Sequence, residues 1–284
     1  MIKCTTLPSG GFFFYIHSLY LRGIINHKSI KMKKIFLLNL SLVAVFIFSA
    51  NAQTNPNWEY WTSNRLEIKK GMSVEFEKAA SLKTKKFNTT PETAISTYKV
   101  MTGPDQGKYE RIQGYKDISW FNGVNGNEGM KYWMKNVSEF VNQNDGRIIW
   151  WRIKNLSHNW NPESKPTKYF HRVIRIVKPG KLGDFWRFAN RITEVYKKHN
   201  FTGIQACFNV VSGGNENMMV FVDAFNDFTD QGKFPDTDKS LKELYNEMYN
   251  GSYDRDLEIY NDALEMWGRQ KELLSLVPEA TTGM

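Results

Sequence analysis

Thr97-Tyr98-Lys99-Val100-Met101-Thr102-Gly103 is answered 110 residues later by Cys207-Phe208-Asn209-Val210-Val211-Ser212-Gly213. Both stretches alternate in polarity and end on a glycine, as a strand running into a turn does. The register continues through Ile112-Gln113-Gly114-Tyr115-Lys116-Asp117, which matches Val222-Asp223-Ala224-Phe225-Asn226-Asp227. Upstream, Gly71 and Phe76 pair with Gly180 and Phe185 at an offset of 109. A period this long is a whole domain rather than a solenoid unit.

Working outward, the first copy spans 58–154. Its elements are a strand over 58–70, a helix with Met72, Phe76, Ala79, Ala80, Lys83 and Phe87 at helical spacing and Ser73 as N-cap, and a hairpin of 94–102 with 108–115. A second helix carries Met130, Trp133, Met134, Val137 and Val141, and a strand over 147–154 closes the unit. Asn155–Thr167, rich in Asn, Ser and Pro, reads as a linker. The second copy, 168–284, repeats the order, with Phe185, Phe188, Ala189, Ile192 and Tyr196 as its first helical stripe. It adds an extra C-terminal helix over Tyr253–Trp267 and a last short strand at Leu273–Val277. The predicted order is β-α-β-β-α-β twice, an α+β fold of two ferredoxin-like repeats.

The N-terminus carries a separate message. Met32-Lys33-Lys34 precedes an apolar run from Ile35 to Phe48, and Ala50-Asn51-Ala52 gives small residues at a cleavage position. Residues 32–52 therefore read as a signal peptide, with export to the periplasm or beyond and no stable membrane insertion after cleavage. Met32 is then the expected start, and residues 1–31 a spurious upstream extension. Removing 1–52 takes away Lys3, Arg22, Lys28, Lys31, Lys33 and Lys34 and no acid. The 38 basic residues become 32 against 29 acidic ones, a net charge of +3 instead of +9. That near-balance argues against a nucleic-acid partner. Cys207 is the one cysteine past residue 52 and reads as a small packed hydrophobe.

Two such units in one exported chain resemble a tandem member of the dimeric α+β barrel superfamily, with a more distant likeness to its NIPSNAP-like branch. The resemblance implies two sheets packed face to face as a pseudo-dimeric barrel around a shared cavity. It also implies a choice among a ligand-binding protein, a cofactor-free oxygenase or isomerase, and a haem enzyme. Some relatives carry a helix-borne axial histidine, which makes His199 the haem candidate. Apart from that, no cofactor and no metal is expected.

Strand alternation then divides the candidates between two faces. Leu66, Ile68, Tyr98, Val100, Ile112, Gly114, Ile174, Ile176, Phe208, Val210, Val222 and Ala224 are assigned to the helix-packed face. Arg65, Glu67, Thr97, Lys99, Arg111, Gln113, His171, Arg175, Cys207, Asn209, Phe221 and Asp223 are assigned to the cavity. His171 with Asp223 is the candidate acid/base pair. Arg65, Lys99, Arg111, Arg175 and Asn209 are the candidate contacts for a small organic ligand with an anionic group. A third reading makes the protein an envelope interaction module that docks through Tyr253–Trp267. Gly123-x-x-Gly126-x-x-Gly129 has the wrong spacing for a dinucleotide site and reads as a loop.

Overall fold

The computed structural model describes residues 58–123 and 128–283. The signal-peptide reading of 32–52, the extension 1–31 and part of the Gly123–Gly129 loop lie outside the described residues. The strands are β1 (Glu59–Ile68), β2 (Ser96–Val100), β3 (Tyr109–Lys116), β4 (Val141–Arg152), β5 (Tyr169–Ile176), β6 (Ile204–Ser212), β7 (Met218–Phe225) and β8 (Gln270–Leu276). The helices are α1 (Ser73–Phe87), α2 (Glu128–Asn136), α3 (Leu182–Lys198), α4 (Leu241–Met248) and α5 (Tyr253–Asp262).

The eight strands close into one barrel in the order β1-β3-β2-β8-β5-β7-β6-β4, and every pairing is antiparallel. Closure leaves no sheet edge exposed. The result is a mixed α+β fold of the kind the dimeric α+β barrel resemblance implies. Within the first half the strands run β4-β1-β3-β2, and within the second β8-β5-β7-β6. The halves meet where β2 pairs with β8 and where β4 pairs with β6. Among the described residues no helix is long and apolar enough to cross a membrane.

Helices cover the barrel from outside. Phe76 and Ala80 of α1 pack on Leu66, Tyr109 and Val137, and Phe185 and Ala189 of α3 pack on Cys207 and Met219. The amphipathic stripe of α3 is thus spent on the sheet and on α4 and α5, whose Tyr245 joins Phe188 in a further cluster. The C-terminal helix is shorter than its heptad-like spacing predicts, because it stops at Asp262. Leu264 leaves it to bridge Val177. Tyr253 and Tyr260 pack around Phe188, with ring centroids 5.8 and 5.1 Å away. The face nominated for docking is therefore half-buried and packed against its own chain, while Trp267 beyond the helix is exposed. Ser73 is also corrected: it is the first helical residue, and Met72 occupies the cap position without a side-chain hydrogen bond.

Candidate functional site: a cavity inside the barrel

The lumen holds the apolar face of the sheet. Tyr98, Val100, Trp150, Phe170, Ala206, Phe208, Val220, Val222, Ala224, Leu274 and Leu276 form one cluster, with Trp61, Ile112, Trp160 and Ile174 packed against it. This reverses the expected faces in β2, β3 and β5–β7. Alternation separates the two faces of a strand but does not say which one turns inward. In a closed barrel the interior excludes water, so the apolar set goes inside. The helices cover only part of the exterior and leave room there for charge. In β1 the expected phase holds: Leu66 and Ile68 lie under α1, and Arg65 belongs to the lumen, where it meets Glu110 and Glu272.

A cavity of about 540 Å³ occupies the open end of the barrel, within the usual range for small-molecule sites. Trp61, Gly114, Tyr115, Trp160 and Phe208 form one wall; Tyr98, Phe170, Val222 and Ala224 line it further. Trp61 meets Tyr115 at 4.6 Å, Phe208 at 5.4 Å and Trp160 at 5.7 Å between ring centroids. The Tyr98 hydroxyl donates to the Thr167 carbonyl at 3.0 Å, and the Trp150 indole donates to Ser63 Oγ at 2.9 Å. Burial pushes the Tyr98 phenol up, and it takes Tyr115 up to about 12, so both wall phenols stay protonated at neutral pH.

A β-bulge builds part of this wall. The β1–β3 register steps from Tyr60↔Lys116 to Thr62↔Gln113, so Gly114 and Tyr115 together face Trp61. Tyr115 takes a φ of 56°, which is uncommon for a residue with a side chain. The bulge lets two successive residues line the same cavity. Gly114 is needed because a Cβ there would lie 2.4 Å from the Trp61 ring.

The closed end is charged. Arg65 Nη2 donates to Glu110 at 2.8 Å and to Glu272 at 3.2 Å, while Arg172 bonds both carboxylates. Asp105, from the β2–β3 turn, pairs with Arg65 across that end. Burial pushes the Glu272 carboxyl up, and Arg65 opposes the shift. Glu110 and Arg172 form the polar floor of the cavity. At the mouth stand residues 91–92 and 94–96, Lys116, Trp120, and residues 159–162 and 164–167. The Lys116 ammonium donates to the carbonyls of Pro91 and Glu92.

Most of the residues nominated from sequence lie elsewhere. Arg111 is buried outside the barrel, donating to Thr84 of α1 at 2.8 Å. Lys99 sits over the Tyr109 ring on the same side. Arg175 donates to the Ile174 carbonyl at 2.8 Å, and Asn209 to the carbonyls of Glu216 and Met218 at 3.0 Å. None of these four borders the cavity. His171 and Asp223 are direct cross-strand partners, so pairing brings them together, but on the outside of the barrel. Asp223 accepts from Gln205 at 2.9 Å. Burial and Lys271 push the His171 imidazole down, against a smaller upward effect from Asp223. Arg65 alone among the nominated set reaches the lumen. The residues missed are Trp61, Glu110, Tyr115, Trp160 and Arg172. Trp160, an indole inside a polar Pro- and Asn-rich stretch, was the signal that this segment covers something.

A haem finds no histidine, cysteine or methionine ligand among the residues that line the cavity. His199 ends α3, its ring 6.5 Å from Phe234 in the outer layer. No protein-family model matches the chain, and no curated protein matches it. Among solved structures, it is similar to a candidate monooxygenase from Fusobacterium nucleatum (13% identity, 77% of this chain and 92% of that one, TM-score 0.49). It is also similar to a candidate monooxygenase from Lactobacillus acidophilus (9% identity, 78% and 94%, TM-score 0.48). A third is a haem-binding protein from Thermus thermophilus (9% identity, 79% and 92%, TM-score 0.43).

Proposed function

We propose that the protein binds a small organic molecule, flat and largely apolar, inside the barrel. The observation that carries this reading is the aromatic-walled cavity with the Glu110–Arg172 pair at its base. The guest's ring stacks among Trp61, Tyr115 and Phe208, and the polar floor orients it. Lys99, Arg111 and Arg175, expected to hold an anion, lie outside the barrel, so their charge does not enter the proposal. The same proposal includes an exported protein whose halves are two ferredoxin-like repeats, supported by the matching strand order of each half.

The test is saturable quenching of tryptophan fluorescence, with a matching rise in melting temperature, across a panel of one- to three-ring aromatics. Ala224→Phe fills the cavity from the wall. It is expected to weaken binding at least tenfold while the unliganded circular dichroism is preserved. If no panel member quenches the wild-type chain, the reading fails.

A further inference from the structure

Glu110 has one oxygen to spare. Its side chain is 5% exposed and borders the cavity. Oε2 accepts from Arg65 Nη2 at 2.8 Å and from Arg172 Nη1, whereas Oε1 meets no donor among the described residues. Glu272, beside it, has both oxygens engaged: Oε1 accepts from Arg65 Nη1 at 3.3 Å, and Oε2 from Arg65 Nη2 at 3.2 Å and Arg172 Nε at 3.0 Å. Oε1 is not one of the buried side-chain atoms left without a partner, so it opens onto the cavity, where water or a guest supplies its donor. A guest that brings its own hydroxyl or N–H keeps that hydrogen bond as it displaces the water, whereas one that lacks a donor leaves the oxygen unpaired.

The charge at the floor decides what kind of group this is. Arg65 and Arg172 face three carboxylates, those of Asp105, Glu110 and Glu272. Lys108, at the periphery, divides its ammonium between Asp105 at 3.0 Å and Asp145 at 3.1 Å. The floor is already rich in negative charge, so a second anion is repelled and a neutral donor is favoured. Above the floor the walls admit a planar ring system. We infer that the guest is a flat aromatic molecule bearing a hydroxyl or N–H group, recognised through Oε1 of Glu110. This rests on the reading of the barrel as a ligand cavity.

Four probes separate the possibilities on the full chain: naphthalene, 2-methoxynaphthalene, 2-naphthol and 2-naphthoate, each titrated by tryptophan quenching. A hydrogen bond to a buried carboxylate makes 2-naphthol tighter than 2-methoxynaphthalene by about 20-fold. Glu110→Gln leaves two guanidiniums facing two carboxylates, and in this variant the 2-naphthol to 2-methoxynaphthalene ratio is expected to collapse to about threefold or less. Equal binding of these two by the wild type overturns the donor assignment while the cavity reading stands. Tightest binding by 2-naphthoate overturns it in favour of an anion site. If none of the four binds, both readings fall together.

Discussion

Arg111 is a cation without a counter-ion among the described residues. Its side chain is buried, its Nη2 donates to Thr84, its guanidinium carbon lies 5.0 Å from the Trp133 ring centroid, and Nε and Nη1 have no partner among the described residues. Burial takes its guanidinium down to about 10. Burial, with Arg111 as the second cause, takes Lys83 from its ordinary 10.5 down to about 8. An unpaired buried charge destabilises more than a well-packed apolar chain of similar shape. Arg111→Met is therefore expected to raise the urea-unfolding free energy by about 1 kcal/mol, the lost stacking on Trp133 offsetting part of the gain. The pH sign follows from Lys83. Between pH 8 and 10.5 the unfolded chain holds more protons than the folded one, so wild-type stability rises with pH across that window. In Arg111→Met the rise is shallower, because one cause of the depression is gone. A variant that is less stable than wild type by more than about 1 kcal/mol would mean the guanidinium has a real partner. The repeat makes Arg111 equivalent to Phe221, and both do lie under helices, Phe221 with its ring 6.0 Å from that of Phe185. The equivalence was legible in the sequence; the side of the sheet was not, because alternation is symmetric about the strand.

At the scale of elements, what the sequence shows and what it hides separate at the bulge. Most strands, the main helices and the hairpins follow from apolar periodicity and glycine punctuation and appear within a few residues of their expected places. The exception is β4, which begins at Val141, a residue the apolar spacing assigns to the end of the second helix, because that helix stops at Asn136. The bulge does not follow from the pattern, since one extra residue between Gly114 and Lys116 leaves the local alternation readable in either phase. Its stability hinges on one contact, the Trp61 ring lying where a Gly114 Cβ would be. Gly114→Ala is thus expected to cost about 2 kcal/mol by forcing Trp61 off its position. In a Trp61→Leu background the collision disappears, and the same substitution becomes neutral within about 0.5 kcal/mol. Equal penalties in the two backgrounds, measured by denaturant unfolding, would show that Gly114 is required for its backbone and not for the indole above it.

Over the whole molecule, the barrel is one cooperative object only if both seams between its halves hold. The β4–β6 seam continues past β4: the Ile153 N–H donates to the Cys207 carbonyl at 2.8 Å, and His158 bridges Gln205. The β2–β8 seam is different, because β8 pairs with β2 only from Tyr98 to Val100. Met101 and Thr102 extend it at one end through hydrogen bonds with Leu273, and the chain beyond β8 extends it at the other. The Val277 N–H donates to the Thr97 carbonyl at 2.8 Å, and the Thr97 N–H donates to Thr281 Oγ1 at 3.0 Å. Thr97 Oγ1 donates to the Ala280 carbonyl at 2.8 Å, and Thr282 exchanges hydrogen bonds with the backbone of Ile95. The sequence nominates Thr97 as a cavity residue; its work is here, fully buried on the outer face. No periodicity in a terminal Pro-Glu-Ala-Thr-Thr stretch announces such a clasp, since its partners lie about 180 residues away. Deleting residues 278–284 leaves the Thr97 and Ile95 amides without acceptors and removes buried Ala280. At about 1 kcal/mol for each of several lost hydrogen bonds, the expected loss is about 4 kcal/mol. Because β8 also pairs with β5, amide exchange should accelerate in β2, β8 and β5 together, with Thr282 gone from the cavity mouth. A truncated chain that stays within about 1 kcal/mol of the full one, with faster exchange confined to β2, would mean the barrel closes without its tail.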